Sequence, residues 1–222
     1  MVKNPSSCQH CCQNHGFTLV EMLVVVVVIV ILLLVGAPML SDSSVNARQT
    51  SREIVRAHLQ QARGQAIASG RATAVIIAGD IGGVTKSSGL ITLAEVEPLP
   101  AGAVPFKVSR LIMRWTALPE SMFFLAKSVT NSTKDTLLDG PAIVEATYQN
   151  IPVLCHAVIF SPDGRVTHPA NGVGLAIAIG RGKVSGSGVV ATQKSGNKVT
   201  FDFLGINRLN ARARLIDPHA AP

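Results

Sequence analysis

The chain has 222 residues, enough for one domain with its own core or for a smaller domain with an anchor. Hydrophobic residues make up 47% of it, charged residues only 15%, and the formal net charge is +7. This modest basic excess is compatible with an anionic partner but does not by itself indicate one. Cys155 is the one cysteine beyond Cys12, which excludes an internal disulfide in the main part of the chain.

The N-terminal residues 1–16 contain a cluster of sulfur and imidazole side chains. These are Cys8, His10, Cys11, Cys12 and His15. Such side chains can bind zinc, but a zinc site needs a fold around it and this segment has no core. A lipoprotein signal is also excluded, because no hydrophobic stretch precedes Cys8. The simpler interpretation of this segment is a short polar leader that is discarded.

Residues 17–40 form an apolar segment. The run from Met22 to Val35 has no polar side chain. About 24 residues of helix extend roughly 36 Å at about 1.5 Å per residue. This predicts a transmembrane helix, since a hydrocarbon core is about 30 Å thick. Glu21 lies inside the segment, where an unpaired carboxylate is costly, so we expect it to have a functional partner.

The residues around the start of this segment resemble a known processing signal. Gly-Phe-Thr-Leu-Val-Glu at residues 16–21, followed by the apolar run and Pro38, resembles the N-terminal cleavage and methylation signal of type IV pilins and type II secretion pseudopilins. The resemblance implies cleavage by a prepilin peptidase after Gly16 and N-methylation of Phe17. In a secretory signal peptide the cleavage site would instead follow the apolar stretch. Here the helix would survive processing, as an anchor and as the core of a filament.

Glu21 and Pro38 have expected roles in such a helix. The amine that cleavage creates on Phe17 can pair with Glu21 of a neighbouring subunit, so that each buried charge gains a partner and the helices gain a defined stagger. The alternative is a Glu21 carboxylate that reaches the lipid headgroups. Pro38 removes a helix hydrogen bond and predicts a kink. A simple helix end at the membrane surface is the alternative there.

Residues 41–70 are predicted to continue the N-terminal helix in amphipathic form. Hydrophobic residues recur at helical spacing, and Gly70 is a suitable stop. Four arginines project from the other face of the helix. They are Arg48, Arg52, Arg56 and Arg63. Either this face is solvated or it contacts a partner.

Residues 71–222 change to short strands separated by glycine-rich turns, which predicts a β-rich soluble domain. The predicted strands are Ala72–Ala78, Leu90–Val96, Lys107–Trp115, Ala142–Tyr148, Leu154–Ser161, Val173–Ile179, Val189–Thr192, Val199–Leu204 and Leu209–Ile216. The predicted loops are Gly79–Gly89, Lys127–Pro141 and Gly180–Gly188. The expected fold is α+β, with a long N-terminal hydrophobic helix packed on an antiparallel β-sheet domain, as in pilins.

Further stretches resemble minor pseudopilins of the GspH/FimT type. They are Leu59–Ile67 with the following strand at Thr73–Ile77, and Phe160–Arg165. In the last stretch, Pro162 presets the first angle of a turn, Asp163 hydrogen-bonds its own backbone, and Gly164 takes the positive φ that follows. We therefore interpret Asp163 as a structural residue.

Catalytic groups are few. Cys155 and His156 are adjacent on a predicted strand and would face opposite sides, which excludes a dyad made from these neighbours. His156 and His168 flank Asp163, but the sequence has no nucleophile elbow, phosphate loop or HExxH pattern. We predict no enzyme activity, no metal site and no cofactor.

The C-terminal arginines suggest an alternative function. Arg208, Arg212 and Arg214 would share one face of a strand and could contact successive phosphates of DNA. The sequence 211–214, Ala-Arg-Ala-Arg, resembles the Gly-Arg-x-Arg motif of FimT-type proteins that bind DNA in natural transformation, with alanine in place of glycine. If glycine supplies a special backbone angle, this difference would move the arginines.

Two other points bear on the same arginines. Other cationic residues could enlarge the patch if folding brings them near the three arginines. They are Lys194, Lys198, Arg181 and Lys183. The alternative explanation is an edge strand that positive charges protect against aggregation.

These patterns predict a minor pilin or pseudopilin that is a structural subunit of a type IV pilus-like or type II secretion filament. The alternative is a FimT-like minor pilin that binds DNA for uptake. Expected partners are a prepilin peptidase, other pilin or pseudopilin subunits and the inner membrane, with DNA in the alternative. The resemblance implies a single-pass inner-membrane protein with a cytoplasmic N-terminus and a periplasmic C-terminal domain, associated with the filament after processing.

Overall fold

In a computed structural model of the chain, the described residues are 18–41, 43–78, 89–99, 104–119, 121–130, 134–169, 175–185, 188–192, 194–195 and 198–217. The chain divides into two compact units, Met1–Ser43 and Ser44–Pro222. Two long helices precede the strands, α1 at Leu19–Ser41 and α2 at Ser43–Ser69.

Helix α1 exposes apolar side chains around its circumference. The large hydrophobic side chains from Leu19 to Leu32 are each 47–81% exposed, so this stretch has no buried face. The helical backbone runs through Pro38 to Ser41, and both the kink at Pro38 and the alternative of a helix end at the membrane surface stay predictions. No helix is both long and apolar enough, over the described residues, to cross a membrane.

Helix α2 is amphipathic and has one buried face. Val55, Leu59, Ala62 and Ala66 are fully buried, and their spacing of four, three and four residues places them on one stripe. The helix ends at Gly70, which has a φ of 63° and donates its N–H to the Ala66 carbonyl at 3.0 Å. The left-handed conformation that glycine adopts without strain closes the last turn, so the predicted stop is confirmed.

The rest of the second unit consists mainly of strands. They are β1 Thr73–Ala78, β2 Leu90–Pro98, β3 Phe106–Leu111, β4 Thr116–Ala117, β5 Met122–Leu125, β6 Val144–Tyr148, β7 Ile151–Phe160, β8 Val166–His168, β9 Ala176–Ser185, β10 Gly188–Ala191, β11 Lys194–Ser195, β12 Lys198–Val199, β13 Phe201–Ile206 and β14 Ala213–Leu215. A short helix, α3, spans Lys127–Thr130, and a 3₁₀ turn spans Leu137–Asp139.

The first sheet closes on itself. β1, β2, β3, β6 and β7 follow one another, and β1 pairs again with β7, while β4 extends β2 and β8 extends β7. The pairings are antiparallel except between β3 and β6, which are parallel over Phe106↔Val144 and Lys107↔Glu145. Alternate side chains of the ring strands fill its interior. Buried Ile76, Cys155 and Ile159 belong to this inner cluster.

The second sheet is organised around β9. It has the order β10-β9-β13-β14, with β5 also paired to β9. The main core lies where α2 and this sheet cover the outer face of the ring. It contains Leu59 of α2, Ile77 of β1, Phe160 of β7, Ile179 of β9 and Leu204 of β13. The predicted α+β class is confirmed. The helix that packs on the strands is α2, and the strands form two main sheets rather than one.

A predicted loop and a missed strand need correction here. The predicted loop Gly180–Gly188 is wrong, because β9 continues to Ser185. Its glycines serve close packing: a Cβ at Gly180 would lie 2.7 Å from Leu125 Cδ1, and one at Gly182 would lie 2.5 Å from Val189 Cγ1. β5 was missed because its four apolar residues show no alternation.

Candidate functional site

The start of α1 is held by reciprocal hydrogen bonds between Thr18 and Glu21. Thr18 donates its backbone N–H and its hydroxyl to Glu21 Oε2, each at 2.9 Å, and the Glu21 N–H donates to the Thr18 hydroxyl at 3.2 Å. This is a capping box. The sequence interpretation missed Thr18, although the spacing Thr-x-x-Glu signals such a box. Gly16 and Phe17, the predicted cleavage and methylation residues, lie outside the described residues, as does the cysteine and histidine cluster before them.

The arginines of α2 are attached to their own domain. Arg48 makes two hydrogen bonds to the buried Asp202 of β13, one of them from Nε to Oδ2 at 3.3 Å. Arg52 Nε lies 3.5 Å from the same Oδ2. Arg63 donates to the carbonyls of Gly164 and Asn210. The hypothesis of a solvated basic face is therefore wrong for these three residues. Arg56 pairs with Glu53 at 2.9 Å on the helix surface.

The C-terminal arginines do not all lie on one strand. β14 contains only Ala213–Leu215, and Arg208 lies in a turn before it. We call residues 207–212 the arginine loop. The Ala211 N–H donates to the Asn207 carbonyl at 2.9 Å, and the Asn207 N–H donates to the Arg212 carbonyl at 3.0 Å. The predicted strand Leu209–Ile216 is therefore wrong in its first half.

Asparagine side chains give the physical reason for this turn. Asn207 Oδ1 accepts the N–H groups of Leu209 at 2.9 Å and Asn210 at 3.3 Å. Asn210 Oδ1 accepts the N–H of Arg212 at 3.1 Å. Asparagine competes with a strand ladder by bonding the backbone two or three residues ahead. The two asparagines were the sequence signal for a turn here.

Ala211 adopts the backbone angle for which glycine is suited. Its φ is 56°, and its side chain is buried in the main core. The alanine therefore does not divert the backbone from a left-handed conformation, although such a conformation costs an L-residue about 1–2 kcal/mol. This answers the question that the alanine in place of glycine raised.

Arg212 and Arg214 are exposed, and neither forms an ion pair within the described residues. Arg208 is half-buried and donates to the Pro169 carbonyl. β14 is an edge of the second sheet, which also fits the alternative explanation of cationic edge protection. The three arginines thus differ: two face solvent at the edge, and one is engaged with its own chain.

The other cations do not all join this patch. The register pairs Arg214 with Gly205 and Gly205 with Ala176, so Arg181 lies five residues further along β9. That separation is about 16 Å at about 3.3 Å per residue, and Lys183 is further still. The idea that Arg181 and Lys183 enlarge the patch is therefore wrong. The side chains of Lys194 and Lys198 lie outside the described set.

The turn before β8 is built as predicted. Asp163 accepts hydrogen bonds from the Ser161 hydroxyl and from the Arg165 N–H, which lower the pKa of its carboxyl below the usual value. Gly164 has a φ of 78°, and a Cβ there would meet Ile67 Cδ1 at 2.7 Å. Asp163 is therefore a structural residue.

The residues first considered for catalysis are not assembled. Cys155 is buried inside the ring and its thiol donates to the Val153 carbonyl at 3.6 Å. His156, the next residue on β7, points to the other face. Burial lowers the pKa of both His156 and His168. In the described part of the chain, no three His, Cys, Asp or Glu side chains are grouped to hold a metal ion.

Comparison with known proteins identifies the N-terminal segment. A family model of the prokaryotic N-terminal methylation motif matches residues 11–37. This match confirms the prepilin-type N-terminal motif that the sequence predicts. The finer assignment to the GspH/FimT type stays a prediction. Comparison with curated protein sequences gives no match.

Two solved structures align with the chain. Both are crystal structures of the type IV minor pilin FimU of Pseudomonas aeruginosa strain PAO1, in different crystal forms. One has 15% identity and a TM-score of 0.40, and covers 80% of this chain and 93% of that chain. The other has 15% identity and a TM-score of 0.37, and covers 78% and 96%.

Proposed function

We propose that this protein is a minor pilin or pseudopilin and is not an enzyme. A prepilin peptidase cleaves the leader, residues 1–16, after Gly16, and Phe17 becomes the methylated N-terminus. The observation that carries this proposal is the methylation motif at residues 11–37. Mass spectrometry of the protein from its native host tests it. A mature chain that begins with N-methylated Phe17 is expected, and a chain that still begins at Met1 would contradict it.

Helix α1 serves as the anchor and as the filament core in this proposal. Its apolar side chains are exposed over Leu19–Leu32, and an all-round apolar helix gains free energy only from lipid or from other apolar helices. Residues 17–40 hold the subunit in the inner membrane in a single pass, with the N-terminus cytoplasmic. The helical segment 41–70 and the β-rich part 71–222 lie in the periplasm.

Glu21 sets the register of assembly. In the single subunit its carboxylate has Thr18 as a partner, so the charge is not left without hydrogen bonds. In the filament it turns to the amine of Phe17 of a neighbouring subunit. The partners are thus the peptidase and other pilin or pseudopilin subunits, in a type IV pilus-like or type II secretion filament.

A second candidate function is DNA binding during uptake. Arg212 and Arg214 are exposed at the edge of the second sheet and have no carboxylate partner within the described residues. A duplex of 20 to 30 base pairs, in two unrelated sequences, is titrated into the full chain in detergent. Each phosphate contact should contribute about 0.9 to the slope of log affinity against log salt.

Three results decide between the candidates. An Arg212→Gln/Arg214→Gln double variant that binds more weakly, with a salt slope reduced by about two units, supports DNA contact. No binding by the unmodified chain at low salt removes this candidate and leaves the filament subunit. Complete displacement of DNA by anionic phospholipid vesicles would instead assign the arginines to lipid headgroups.

A further inference from the structure

The arginine loop is packed against a turn that lies far from it in sequence. The Val166 N–H, at the start of β8, donates to the Arg208 carbonyl at 2.9 Å. This bond places the 161–165 turn beside the arginine loop. Both turns are short and are closed by their own backbone bonds, such as Gly164 N–H to the Ser161 carbonyl at 2.8 Å.

Arg63 of α2 bridges these two turns. Its Nε donates to the Gly164 carbonyl at 3.1 Å, and its Nη1 donates to the Asn210 carbonyl at 3.5 Å. A planar guanidinium presents several N–H groups in a fixed fork, so one side chain can bind two carbonyls in a defined geometry. Ile67, one turn further along α2, packs over Gly164. The helix therefore holds both turns from one face.

Asn210 carries this restraint to the next residue. Its carbonyl accepts from Arg63, while its side-chain oxygen accepts from the Arg212 N–H at 3.1 Å. Buried Ala211, between them, fixes the loop to the core. Arg63 is thus connected to the backbone of Arg212 through a single residue, and β14 with Arg214 follows directly.

We propose that Arg63 is a positioning residue that preorganises Arg212 and Arg214 for the phosphodiester backbone of DNA. This inference rests on the second candidate function. In this proposal Arg63 acts through the loop and not by direct DNA contact, because its Nε and Nη1 groups are directed at the two carbonyls. Without the Arg63 guanidinium, the arginine loop keeps its own charges but loses one anchor. The free energy of DNA binding then becomes less favourable, because the loop must be ordered when DNA binds.

The test compares four forms of the full chain in detergent: unmodified, Arg63→Gln, Arg63→Lys and Arg56→Gln. Arg56→Gln is the matched control, because it removes the same charge from the same helix. Arg56 itself forms an ion pair only with Glu53 in the described structure, and no hydrogen bond joins it to either turn. Affinity for a 30-base-pair duplex is measured at several salt concentrations. Hydrogen exchange at the Val166 and Ala211 amides reports whether the loop is anchored.

We expect Arg63→Gln to weaken binding about tenfold, with faster exchange at both amides and an unchanged salt slope. Arg63→Lys should resemble Arg63→Gln, since an ammonium cannot reproduce the fork. Arg56→Gln should bind nearly as well as the unmodified chain.

Three outcomes would overturn the inference while leaving DNA binding intact. They are equal affinity of Arg63→Gln and Arg56→Gln, full rescue by Arg63→Lys, and a loss of about one unit of salt slope in Arg63→Gln, which would indicate direct phosphate contact. If the unmodified chain binds no duplex, the second candidate function fails and the inference fails with it.

Discussion

The two long helices of this chain use their side chains in opposite ways. Helix α1 exposes its apolar residues, and within the described residues its one acidic side chain, Glu21, is bound by Thr18 at the start of the same helix. Helix α2 buries an apolar stripe and binds three of its arginines, Arg48, Arg52 and Arg63, to a strand and two turns of its own unit. This difference supports the proposal that the charges of α2 act in folding, whereas the charge of α1 acts in assembly.

Assembly should show the largest effect. In Glu21→Ala the amine of a neighbouring subunit would lose its partner, and we expect incorporation into filaments to fall about tenfold or more, with normal membrane insertion. Sheared filaments and membrane fractions are compared by immunoblot. Glu53→Ala, which removes an exposed carboxylate from α2, is the control and should assemble normally. Normal assembly of Glu21→Ala would contradict the proposed role of the α1 charge in assembly.

Folding of the second unit should respond to Asp202→Asn. The buried carboxylate binds Arg48 and Arg52, whose side chains are only 22% and 23% exposed, and removing its charge leaves both without a counter-ion. We expect the free energy of unfolding to fall by about 2–3 kcal/mol, somewhat less than for a fully buried pair. Urea unfolding of the detergent-solubilised chain measures it.

The control for this prediction is Glu53→Gln, which breaks the surface pair with Arg56. It should change the free energy of unfolding by about 0.5 kcal/mol or less. Similar effects of the two substitutions would show that the arginine contacts to β13 are no stronger than an ordinary surface pair.

A smaller effect is expected from pH. Burial lowers the pKa of His156 below the ordinary 6.5, although the Asp139 charge acts against this. As the pH falls, His156 therefore binds a proton at a higher pH in the unfolded chain than in the folded chain. The stability that is present above pH 6.5 is lost between pH 6.5 and the lower pKa of His156 in the folded state. His156→Gln should reduce this slope, by at most about 1.4 kcal/mol per pH unit.

Denaturant unfolding at pH 7.5, 6.5, 5.5 and 5.0 provides the measurement. The pKa of His168 is also lowered by burial, so part of the slope should remain in His156→Gln and disappear in the double variant His156→Gln/His168→Gln. An unchanged slope in the double variant would assign the acid sensitivity to other groups.

The smallest effect is expected at Ala211. Ala211→Gly should stabilise the folded chain by relieving the positive φ. It should also destabilise it, because a buried methyl is lost and the unfolded chain gains entropy, so the contributions to the free energy of unfolding largely cancel. We expect a change in unfolding free energy within about 1 kcal/mol and unchanged DNA affinity. Ala211→Val should destabilise by about 2 kcal/mol or more, because a β-branched residue is strained at this angle. Equal effects of glycine and valine would contradict the observed backbone angle.

Local patterns predicted much of this structure. Helix α2 and its stop at Gly70 follow from periodicity and from glycine, and most strand positions follow from short apolar runs between turns. The errors have a common origin. Gly180 and Gly182 suggested a loop, but they are required by the side chains of Leu125 and Val189 on neighbouring strands. Such a requirement arises between strands and leaves no trace in the local sequence.

The candidate sites divide in the same way. Glu21 and its apolar surroundings were visible in the sequence, and the motif match at residues 11–37 confirms the type of N-terminus. The even spacing of Arg208, Arg212 and Arg214 suggested one strand face, but Asn207 and Asn210 turn the chain there. Arg63 could not have been connected to the arginine loop, since their contact spans 147 residues.

The sequence by itself determined the character of the N-terminal segment, because a continuous apolar run with a single carboxylate at a fixed distance from a glycine is a covalent pattern that folding does not alter. It also determined the α+β class through residue periodicity. Only the tertiary structure decided which charges are engaged within the subunit and which are exposed. A charge is engaged by whichever group the fold brings within hydrogen-bond distance: Arg48 and Arg52 by Asp202, Arg63 by two turns, while Arg212 and Arg214 face solvent.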